Sequence, residues 1–366
     1  MGLTEKECWF WLCTRSWLGI RSIDKLLGYF KTAKNIFYGR NSDYEQIRGL
    51  KPGVLKHLQM TGEKSEDDLK RSLDKFVHNG GKFVCRIDED YPEKLKNIYD
   101  MPAGLFYYGH MPKPDQKVIA IVGAREASGY GLEAARYFAS KLAEQGIGII
   151  SGLARGIDAE AHRGALCGGG LTWSVLGCGL NICYPKENYR LFEQMKDSGG
   201  IISEYGYDVQ PEAWHFPMRN RLISGLSDGV FVIEARERSG SLITVDMGLE
   251  QGKNIYALPG QFQMKLSQGC HHLIQNGAKL VYRLEDILED FDILSNCQTT
   301  SEEKIKLSLD KWEQLVYASL SLGPRDVDSI SSDSGLSLKD TVKILMKLEL
   351  EGKIRSMGQN QYMLRL

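Results

Sequence analysis

A glycine-rich segment, IAIVGAREASGYG, spans residues 119–131 and contains residue types that bind phosphate. An apolar run ends in a turn, and a helix-like pattern follows, as in a dinucleotide-binding loop. Gly123 matches the first glycine of that fingerprint, but Arg125 holds the second glycine position and Ser128 the third. The next predicted strand, which ends in ISGLARG, supplies no acid for a ribose. We therefore expect no dinucleotide cofactor, and instead an anion site at a helix N-terminus to which Arg125 adds a planar cation.

The loops after the other predicted strands are also rich in cations and aromatic residues. In a parallel sheet these loops open on one rim. Cations interleaved with rings suit a single-stranded nucleic acid, because phosphates meet Arg or Lys while bases stack on the rings. These residues are Arg155, Arg163, Lys186, Arg190, Trp214, His215, Phe216, Arg219, Arg221, Arg236 and Arg238. Arg163 and Arg190 fall inside predicted helices, where an ordinary surface role is equally compatible with the pattern.

A small-residue turn in the segment ERSGSLITVDMGLEQG opens another predicted helix. Ser239, Gly240, Ser241 and Thr244 are able to offer N–H and hydroxyl groups to a phosphate. A turn with a purely structural role explains the same residues, and the sequence leaves the two interpretations open.

Patterns that would indicate catalysis are weak, so we expect no enzyme and no catalytic residue. The GLSDG segment leads from a helix into a strand, whereas a nucleophile elbow needs a strand, a turn and a helix. His162 and His215 lack a paired nucleophile, and no Walker A motif is present. Asp158 and Glu160 are expected to form ion pairs with Arg155 and to position its loop.

Composition excludes several other classes of protein. The chain has 366 residues, a net charge of −1 and no apolar run long enough to cross a membrane. Because the whole molecule has no positive field, any nucleic-acid role depends on local patches. Its eight cysteines form no C-x-x-C pair, which favours reduced thiols in a cytoplasmic protein over a metal site.

Three blocks organise the chain. Residues 1–75 form an all-helical block, residues 76–292 alternate strand and helix, residues 293–307 form a polar linker, and residues 308–366 form the last block. The strands of the second block are short apolar runs: GKFVCRID, GLFYYG, KVIAIVG, GIGIISG, LTWSVLG, GGIISE, GVFVIEA, KNIYALPG and AKLV. Such runs separated by helices predict an α/β fold, a doubly wound parallel sheet of extended Rossmann-like type with its site at the carboxyl ends of the strands.

The two outer blocks have their own patterns. In the first, LGIRSIDKLLGYF and IRGLKPGVLKHL each place a glycine-bearing turn before a helix, as in helix-hairpin-helix domains that bind DNA phosphates; a bundle that contacts only protein fits equally. In the last, three helices and a hairpin near residues 358–360 predict a winged helix. The core stripe of its third helix is Leu338, Val342, Leu345 and Leu348. Its lysines, Lys339, Lys343 and Lys347, are diluted by acids, which favours a solvated or partner-binding face.

Several ordered motifs together resemble the bacterial DNA-processing protein A family (DprA, also called Smf). They are IVGAREASGYG, SGLARGIDAEAHRGAL, VLGCGLNICYPKEN, the long segment from ISEYGYDVQPEAWHFPMRNR to LEQGKNIYALPG, and GCHHLIQNGA. The resemblance covers roughly residues 80–285, and the flanking blocks are similar to that family's helical SAM-like and winged-helix domains.

The resemblance implies a core that binds single-stranded DNA without a cofactor or known catalysis. It further implies protection of incoming strands during natural transformation, loading of the recombinase RecA and a homodimer. The resemblance implies DNA contacts for Arg125, Lys186, Arg219 and Arg221, and a dimer surface at His271, Leu273 and Ile274. Together with the loop patterns, the full set implied for DNA binding is Gly123, Arg125, Arg155, Lys186, Arg219, Asn220, Arg221, Ser239, Gly240 and Ser241. The family often has Ser or Thr where this chain has Ala124, which removes one hydroxyl and leaves the interpretation unchanged.

Two other functions fit parts of the sequence. A nucleotide-processing hydrolase of the phosphoribohydrolase type would use the turn at residues 239–244, although the P-G-G-x-G-T signature of that group is absent. A winged-helix regulator that binds duplex DNA would use the core only to dimerise. Release of free base from nucleoside monophosphates would support the first, and a preference for duplex DNA would support the second.

Overall fold

The structure is a computed structural model, and it describes residues 2–291, 309–320, 325–358 and 360–364. Contacts between residues divide the chain into two compact units, Met1–Phe291 and Asp292–Leu366. The predicted linker at residues 293–307 lies outside the described residues. The predicted boundary at residue 75 falls inside the first unit and stays a prediction.

A nine-stranded mixed sheet forms the centre of the first unit, in the order β1-β2-β6-β5-β4-β3-β7-β8-β9. Strands β3 to β9 pair in parallel, while β2 is antiparallel to both β1 and β6. Each run predicted as a strand contains one, so the Rossmann-like fold class is confirmed. The strands are β1 Lys82–Cys85, β2 Gly104–Gly109, β3 Val118–Val122, β4 Gly148–Ser151, β5 Thr172–Leu176, β6 Gly199–Ser203, β7 Gly229–Val232, β8 Asn254–Ala257 and β9 Lys279–Leu280.

Helices cover both faces of this sheet. Neighbouring residues of β6, Ile201 and Ile202, are both buried but belong to two different apolar clusters, because successive side chains of a strand point to opposite faces. The helices are α7 Glu93–Lys96, α8 Gly129–Glu144, α9 Ile157–Cys167, α10 Tyr189–Asp197, α11 His215–Leu226, α12 Gly240–Glu250, α13 Gln268–Gln275 and α14 Glu285–Leu288, with 3-10 turns at Lys186–Asn188 and Glu289–Phe291.

The first block is all-helical, as predicted, and packs on the β1–β2 end of the sheet. The ring of Phe10 lies 5.5 Å from that of Phe76, 5.4 Å from Phe83 and 5.6 Å from Phe106. Aromatic contacts therefore join the helical block to two strands. The helices are α1 Glu5–Thr14, α2 Ile20–Phe30, α3 Ala33–Phe37, α4 Asn41–Glu45, α5 Pro52–Gln59 and α6 Glu66–His78, with a 3-10 turn at Thr61–Lys64.

The described residues of the second unit form three helices and a three-stranded sheet, which confirms the predicted winged helix. Its elements are α15 Lys311–Ser319, α16 Val327–Ser334, α17 Leu338–Leu350, β10 Arg325–Asp326, β11 Ile354–Gly358 and β12 Gln361–Leu364. The predicted core stripe of α17 is wrong at its first residue: Leu338 is 52% exposed, and Thr341 is buried with Leu345 and Leu348. Leu338 is the first residue of α17, and the inward face of the helix begins with Thr341 one turn later.

Candidate nucleic-acid interface

The N-terminus of α8, which follows the loop containing Arg125, is closed by a carboxylate of the protein itself. The buried side chain of Glu234 accepts a 2.9 Å hydrogen bond from the Ser128 amide and a 2.5 Å bond from the Ser128 hydroxyl. A Cβ on Gly131 would approach Glu234 Oε2 to 2.3 Å. Glu234 thus occupies the place at a helix N-terminus where a pyrophosphate would bind in a dinucleotide fold.

Gly123 is required for close packing of the loop. A Cβ at this position would lie 2.6 Å from Ile157 and 2.9 Å from the carbonyl oxygen of Glu234. The amide of Ala124 donates to that same carbonyl at 2.8 Å. The loop after β3 is therefore held against α9 and the end of β7, and its free functional group is the Arg125 side chain.

Two adjoining cavities open along the carboxyl ends of the parallel strands. The larger has a volume of about 670 Å³ and the smaller about 370 Å³. Arg125, Tyr184 and Phe216 line both. The larger also contains Gly123, Arg219, Asn220, Arg238, Ser239, Gly240, Ser241 and Thr244, and the smaller contains Arg155, Lys186 and Arg219. The structure thus brings together nine of the ten residues implied for DNA binding.

Arg125 and Arg219 lie against the same aromatic ring. The guanidinium of Arg125 is 5.6 Å from the Phe216 ring centroid, and that of Arg219 is 5.9 Å from it. Arg125 is exposed, whereas Arg219 is buried. The exposed cation and the ring are therefore the groups that a ligand would reach first.

Arg219 joins the strand ends beneath the cavities. Its Nη1 donates to the carbonyl oxygen of Gly152 at 2.9 Å and also to that of Val175. Burial lowers the pKa of Arg219, and the charge of buried Asp158 opposes this shift. Asp158 in turn accepts from the amides of Gly152 and Ala154 at 3.1 and 3.4 Å. Arg219 thus holds the strand ends together from a buried position and is not an exposed cation of the site.

Three exposed cations of these cavities have no carboxylate partner among the described residues: Arg125, Lys186 and Arg238. Arg155 differs, because it pairs with Glu187 through two contacts, one of them at 2.9 Å. The expected pairing of Arg155 with Asp158 and Glu160 is therefore wrong. Asp158, in the first turn of α9, accepts a hydrogen bond from the Gly152 amide in the preceding loop. Glu160 pairs with Arg163 at 2.6 Å.

Arg221 lines neither of these two cavities, although Arg219 and Arg221 were both expected to bind DNA. It lies on α11 two residues beyond Arg219, and two residues of a helix point about 200° apart. Arg221 is buried, its Nη2 donates to Glu204 at 2.7 and 2.8 Å, and it lines a separate cavity with the helical block.

The N-terminus of α12 opens directly into the larger cavity. Its first turn is capped only by short hydroxyl groups: Ser239 Oγ lies 2.8 Å from Ser241 Oγ and accepts from the Ser241 amide at 3.4 Å. A Cβ on Gly240 would meet nothing within 4 Å. Here the partial positive charge of a helix N-terminus faces open space, which suits an anionic ligand.

The two histidines considered as bases are both buried. His162 Nδ1 lies 2.7 Å from the Thr172 hydroxyl, and burial lowers the pKa of His162 to about 3. His215 Nδ1 lies 3.0 Å from the carbonyl oxygen of Gly177. Nδ1 of each ring therefore contacts a structural group, while Nε2 of His162 is buried without a hydrogen-bond partner among the described residues. Within the described ranges no group of three His, Cys, Asp or Glu side chains is arranged to hold a metal ion.

The residues implied at a dimer surface lie on α13, beside the β9 edge of the sheet. His271 Nε2 is 3.0 Å from the carbonyl oxygen of Gly260, and Leu273 and Ile274 pack partly buried against the apolar core. Leu280 of the edge strand β9 is 41% exposed. The dimer surface stays a prediction. In the described part of the chain, none of the helices has the length and apolarity that a membrane span requires.

Fold and site together define a class: a Rossmann-like core with a cationic, aromatic rim, followed by a winged helix. A family model described as DNA recombination-mediator protein A matches residues 82–292, and one described as DprA winged helix domain matches residues 301–360. The chain belongs to the DNA-processing protein A (DprA/Smf) family.

Curated relatives and solved structures agree with this assignment. The chain is 46% identical over 267 residues to DNA processing protein DprA of Streptococcus pneumoniae, covering 71% of this chain and 92% of the relative. It is 35% identical over 348 residues to Protein Smf of Escherichia coli, covering 93% of each. The X-ray structure of the Streptococcus pneumoniae protein matches with a TM-score of 0.65 at 35% identity, covering 82% of this chain and 100% of that one.

A second solved structure concerns the single-stranded DNA binding mode of DNA processing protein A from Helicobacter pylori. It matches with a TM-score of 0.52 at 27% identity, and the match covers 60% of this chain and 97% of that chain.

Sequence reasoning missed two features of the site. Tyr184, whose ring lies 5.6 Å from that of Phe216, lines both cavities, and its place in the YPKEN motif was the available signal. Glu234 closes α8, and no spacing rule connects it to Ser128, because the two residues are 106 positions apart.

Proposed function

We propose that the protein binds single-stranded DNA along the two cavities at the carboxyl ends of its strands. The observation that carries the proposal is the pair of exposed cations, Arg125 and Lys186, in one cavity with the Tyr184 and Phe216 rings. Neither cation has a carboxylate partner among the described residues, so both are available to phosphate. Cations and rings in one cavity match a strand whose bases stack while its phosphates pair with charge.

A single strand suits this site better than a duplex. Stacking on Tyr184 or Phe216 needs an exposed base face, which a duplex keeps inside its stack. The open N-terminus of α12 adds amide groups for a further phosphate through Ser239, Gly240 and Ser241. Because net charge is −1, this local patch and not a general field would determine affinity.

The protein would act by binding and not by catalysis. The buried histidines support this inference, since Nδ1 of each ring contacts a structural group, and the Thr172 hydroxyl beside His162 already donates to the carbonyl oxygen of Ile149. Family membership supports the wider proposal that the bound strand is protected in the cytoplasm and passed to a RecA recombinase during transformation. We propose that the chain does so as a homodimer through the α13 and β9 edge.

A salt-titrated binding measurement tests the proposal directly. Labelled oligo-dT and a duplex of equal length are compared by fluorescence anisotropy at several salt concentrations. We expect tighter binding of the single strand, with a log–log salt slope that decreases by about 0.7 for each phosphate contact removed by mutation. Equal affinity for the duplex, or release of free base from nucleoside monophosphates, would contradict it. RecA filament formation on the bound strand tests the wider proposal separately.

A further inference from the structure

A separate cavity of about 160 Å³ lies on the other side of α11 from the rim cavities. Trp214, Met218 and Arg221 line it at the spacing of one helix face, while Phe216 and Asn220 line the rim cavity. The opposite wall is the turn that leads into α2. The start of α11 is therefore shared by the proposed DNA site and this second cavity.

The α2 helix begins at this cavity without a side-chain cap. Its N-cap residue is Gly19, and a Cβ there would meet nothing within 4 Å. The amides of Ser22 and Ile23 donate to the Gly19 carbonyl, but those of Ile20 and Arg21 have no partner among the described residues. By contrast, α1 and α3 are capped by threonine side chains. An uncapped helix start offers free N–H groups and partial positive charge to an anion.

A buried arginine lines the same cavity with two nitrogens unused. Arg221 is 5% exposed, and its Nε and Nη1 have no hydrogen-bond partner in the described structure. Its Nη2 is held by Glu204, which also lines the cavity, and Arg15 adds a second cation there. Two guanidinium groups thus line the cavity that contains the open helix start. Buried donors without partners are rare in native proteins, which makes this pair an indication of a missing ligand.

The remaining walls are apolar and aromatic. Leu18, Ile20 and Met218 contribute aliphatic surface, and the indole of Trp214 is 57% exposed at the cavity. A cavity of roughly 150 Å³ is able to hold a benzene ring. An anion site next to a wall of this kind matches the two parts of a nucleotide, its phosphate and its base.

We propose that this cavity receives one further nucleotide of the bound DNA strand, with its phosphate at the start of α2 and its base against Trp214. The inference rests on the proposed function, because the strand would cross the start of α11 from the rim cavities. It assigns DNA contact to the Gly19 turn of the helical block and to Arg221.

The first test places a carboxylate at the open helix start. Gly19→Asp is expected to preserve the fold, since Asp is a favoured N-cap and the position has room. Gly53→Asp, at the start of α5, adds the same charge to the same block at a position that is also open. Affinities are measured for oligo-dT strands of about 4 to 16 nucleotides. We expect Gly19→Asp to weaken the longer strands about tenfold and the shortest not at all, and Gly53→Asp to change neither.

The second test reports base stacking directly. Oligo-dT is expected to quench tryptophan fluorescence of the protein, and Trp214→Phe is expected to remove most of the quenching while the affinity changes little. Trp312→Phe is the matched control, because Trp312 is also half exposed but lies in the winged helix.

The outcomes separate this inference from the proposed function. If Arg125→Ala weakens binding but Gly19→Asp behaves like Gly53→Asp at every length, the second cavity holds no nucleotide and the inference is overturned alone. Unchanged quenching in Trp214→Phe overturns it as well. If no single strand binds to the unmodified protein, the proposed function itself fails.

Discussion

Two helices of the first unit begin at the same rim of the sheet, and their N-termini are used in opposite ways. The N-terminus of α8 is filled by the carboxylate of Glu234, which Ser128 holds with two hydrogen bonds. The helix α12 begins at Gly240 after the N-cap Ser239, and this N-terminus faces the larger cavity. Both ends have the same free amides and partial charge, so the difference lies in one buried acid.

This comparison explains how a Rossmann-like sheet differs from its cofactor-binding relatives. A dinucleotide fold presents its first helix to pyrophosphate, with glycines that let the phosphate approach the backbone. Here that helix already has an internal anion, and Arg125 supplies charge from the loop beside it. In the proposed function, phosphate recognition therefore falls to the side-chain cations and to the N-terminus of α12.

The largest expected effect is a loss of DNA affinity when the exposed cations of the rim cavities are removed. We expect Arg125→Ala combined with Lys186→Ala to weaken oligo-dT binding about 100-fold, or about 2.7 kcal/mol, because two phosphate contacts are lost. The salt slope should fall by about 1.4, which anisotropy titrations measure. Arg190→Ala, an exposed arginine outside both cavities, is the control. An equal loss in the control would show that general charge and not this site determines binding.

A substitution of Glu234 at the N-terminus of α8 should change the stability of the protein and not its affinity for DNA. Glu234→Gln replaces an acceptor-only carboxylate with an amide, and leaves a Ser128 donor poorly paired in a buried place. We expect the free energy of unfolding to fall by about 2 kcal/mol, measured by urea titration, with oligo-dT affinity unchanged. The neighbouring exposed acid in Glu237→Gln should change neither quantity. A gain of DNA affinity in Glu234→Gln would contradict the division between the two helix ends.

The pH dependence of stability reports on a buried histidine that lies outside both rim cavities. The pKa of His162 is lowered to about 3 in the folded protein, whereas an unfolded histidine titrates near about 6.5. Between these values the unfolded chain binds a proton that the folded chain does not, so stability is lost as pH falls from about 6.5 towards 3. We expect a loss of about 1.4 kcal/mol for each pH unit in that window.

Urea titrations of His162→Gln across the same window provide the control. Gln keeps a hydrogen-bonding group near the Thr172 hydroxyl but does not titrate. The difference in stability between the two proteins should therefore change with pH below about 6.5 and stay constant above it. A constant difference throughout would show that His162 becomes protonated in the folded state.

The smallest expected effect on DNA affinity comes from placing an acid at the N-terminus of α12. Gly240→Asp gives α12 an acid at its first turn, as Glu234 does for α8, and the position has room for a side chain. We expect oligo-dT affinity to fall about fivefold, with folding unharmed or slightly improved, because acids favour helix N-termini. Anisotropy and thermal unfolding measure the two effects. An unchanged affinity would mean that no phosphate lies at this end.

Local patterns were enough to predict the elements of the sheet and the loop of Arg125. The strands are continuous apolar runs, and strand ends in a parallel sheet meet at one rim. Helix geometry explains the errors. Arg219 and Arg221 were both expected to bind DNA, yet side chains two residues apart on α11 point in different directions, and Leu338 precedes the buried face of its helix. No local pattern could predict the partner of Ser128, because Glu234 lies 106 positions later, in the loop after β7.

The aromatic contacts of Phe10 have a consequence for folding. Its three ring partners belong to α6, β1 and β2, so one side chain in the first helix is a neighbour of two strands formed 73 and 96 residues later in the chain. Neither the helical block nor the β1–β2 pair buries this cluster alone. We expect residues 2–291 to lose structure in one cooperative transition, so that a truncation before β1 would reduce the melting temperature of the whole sheet.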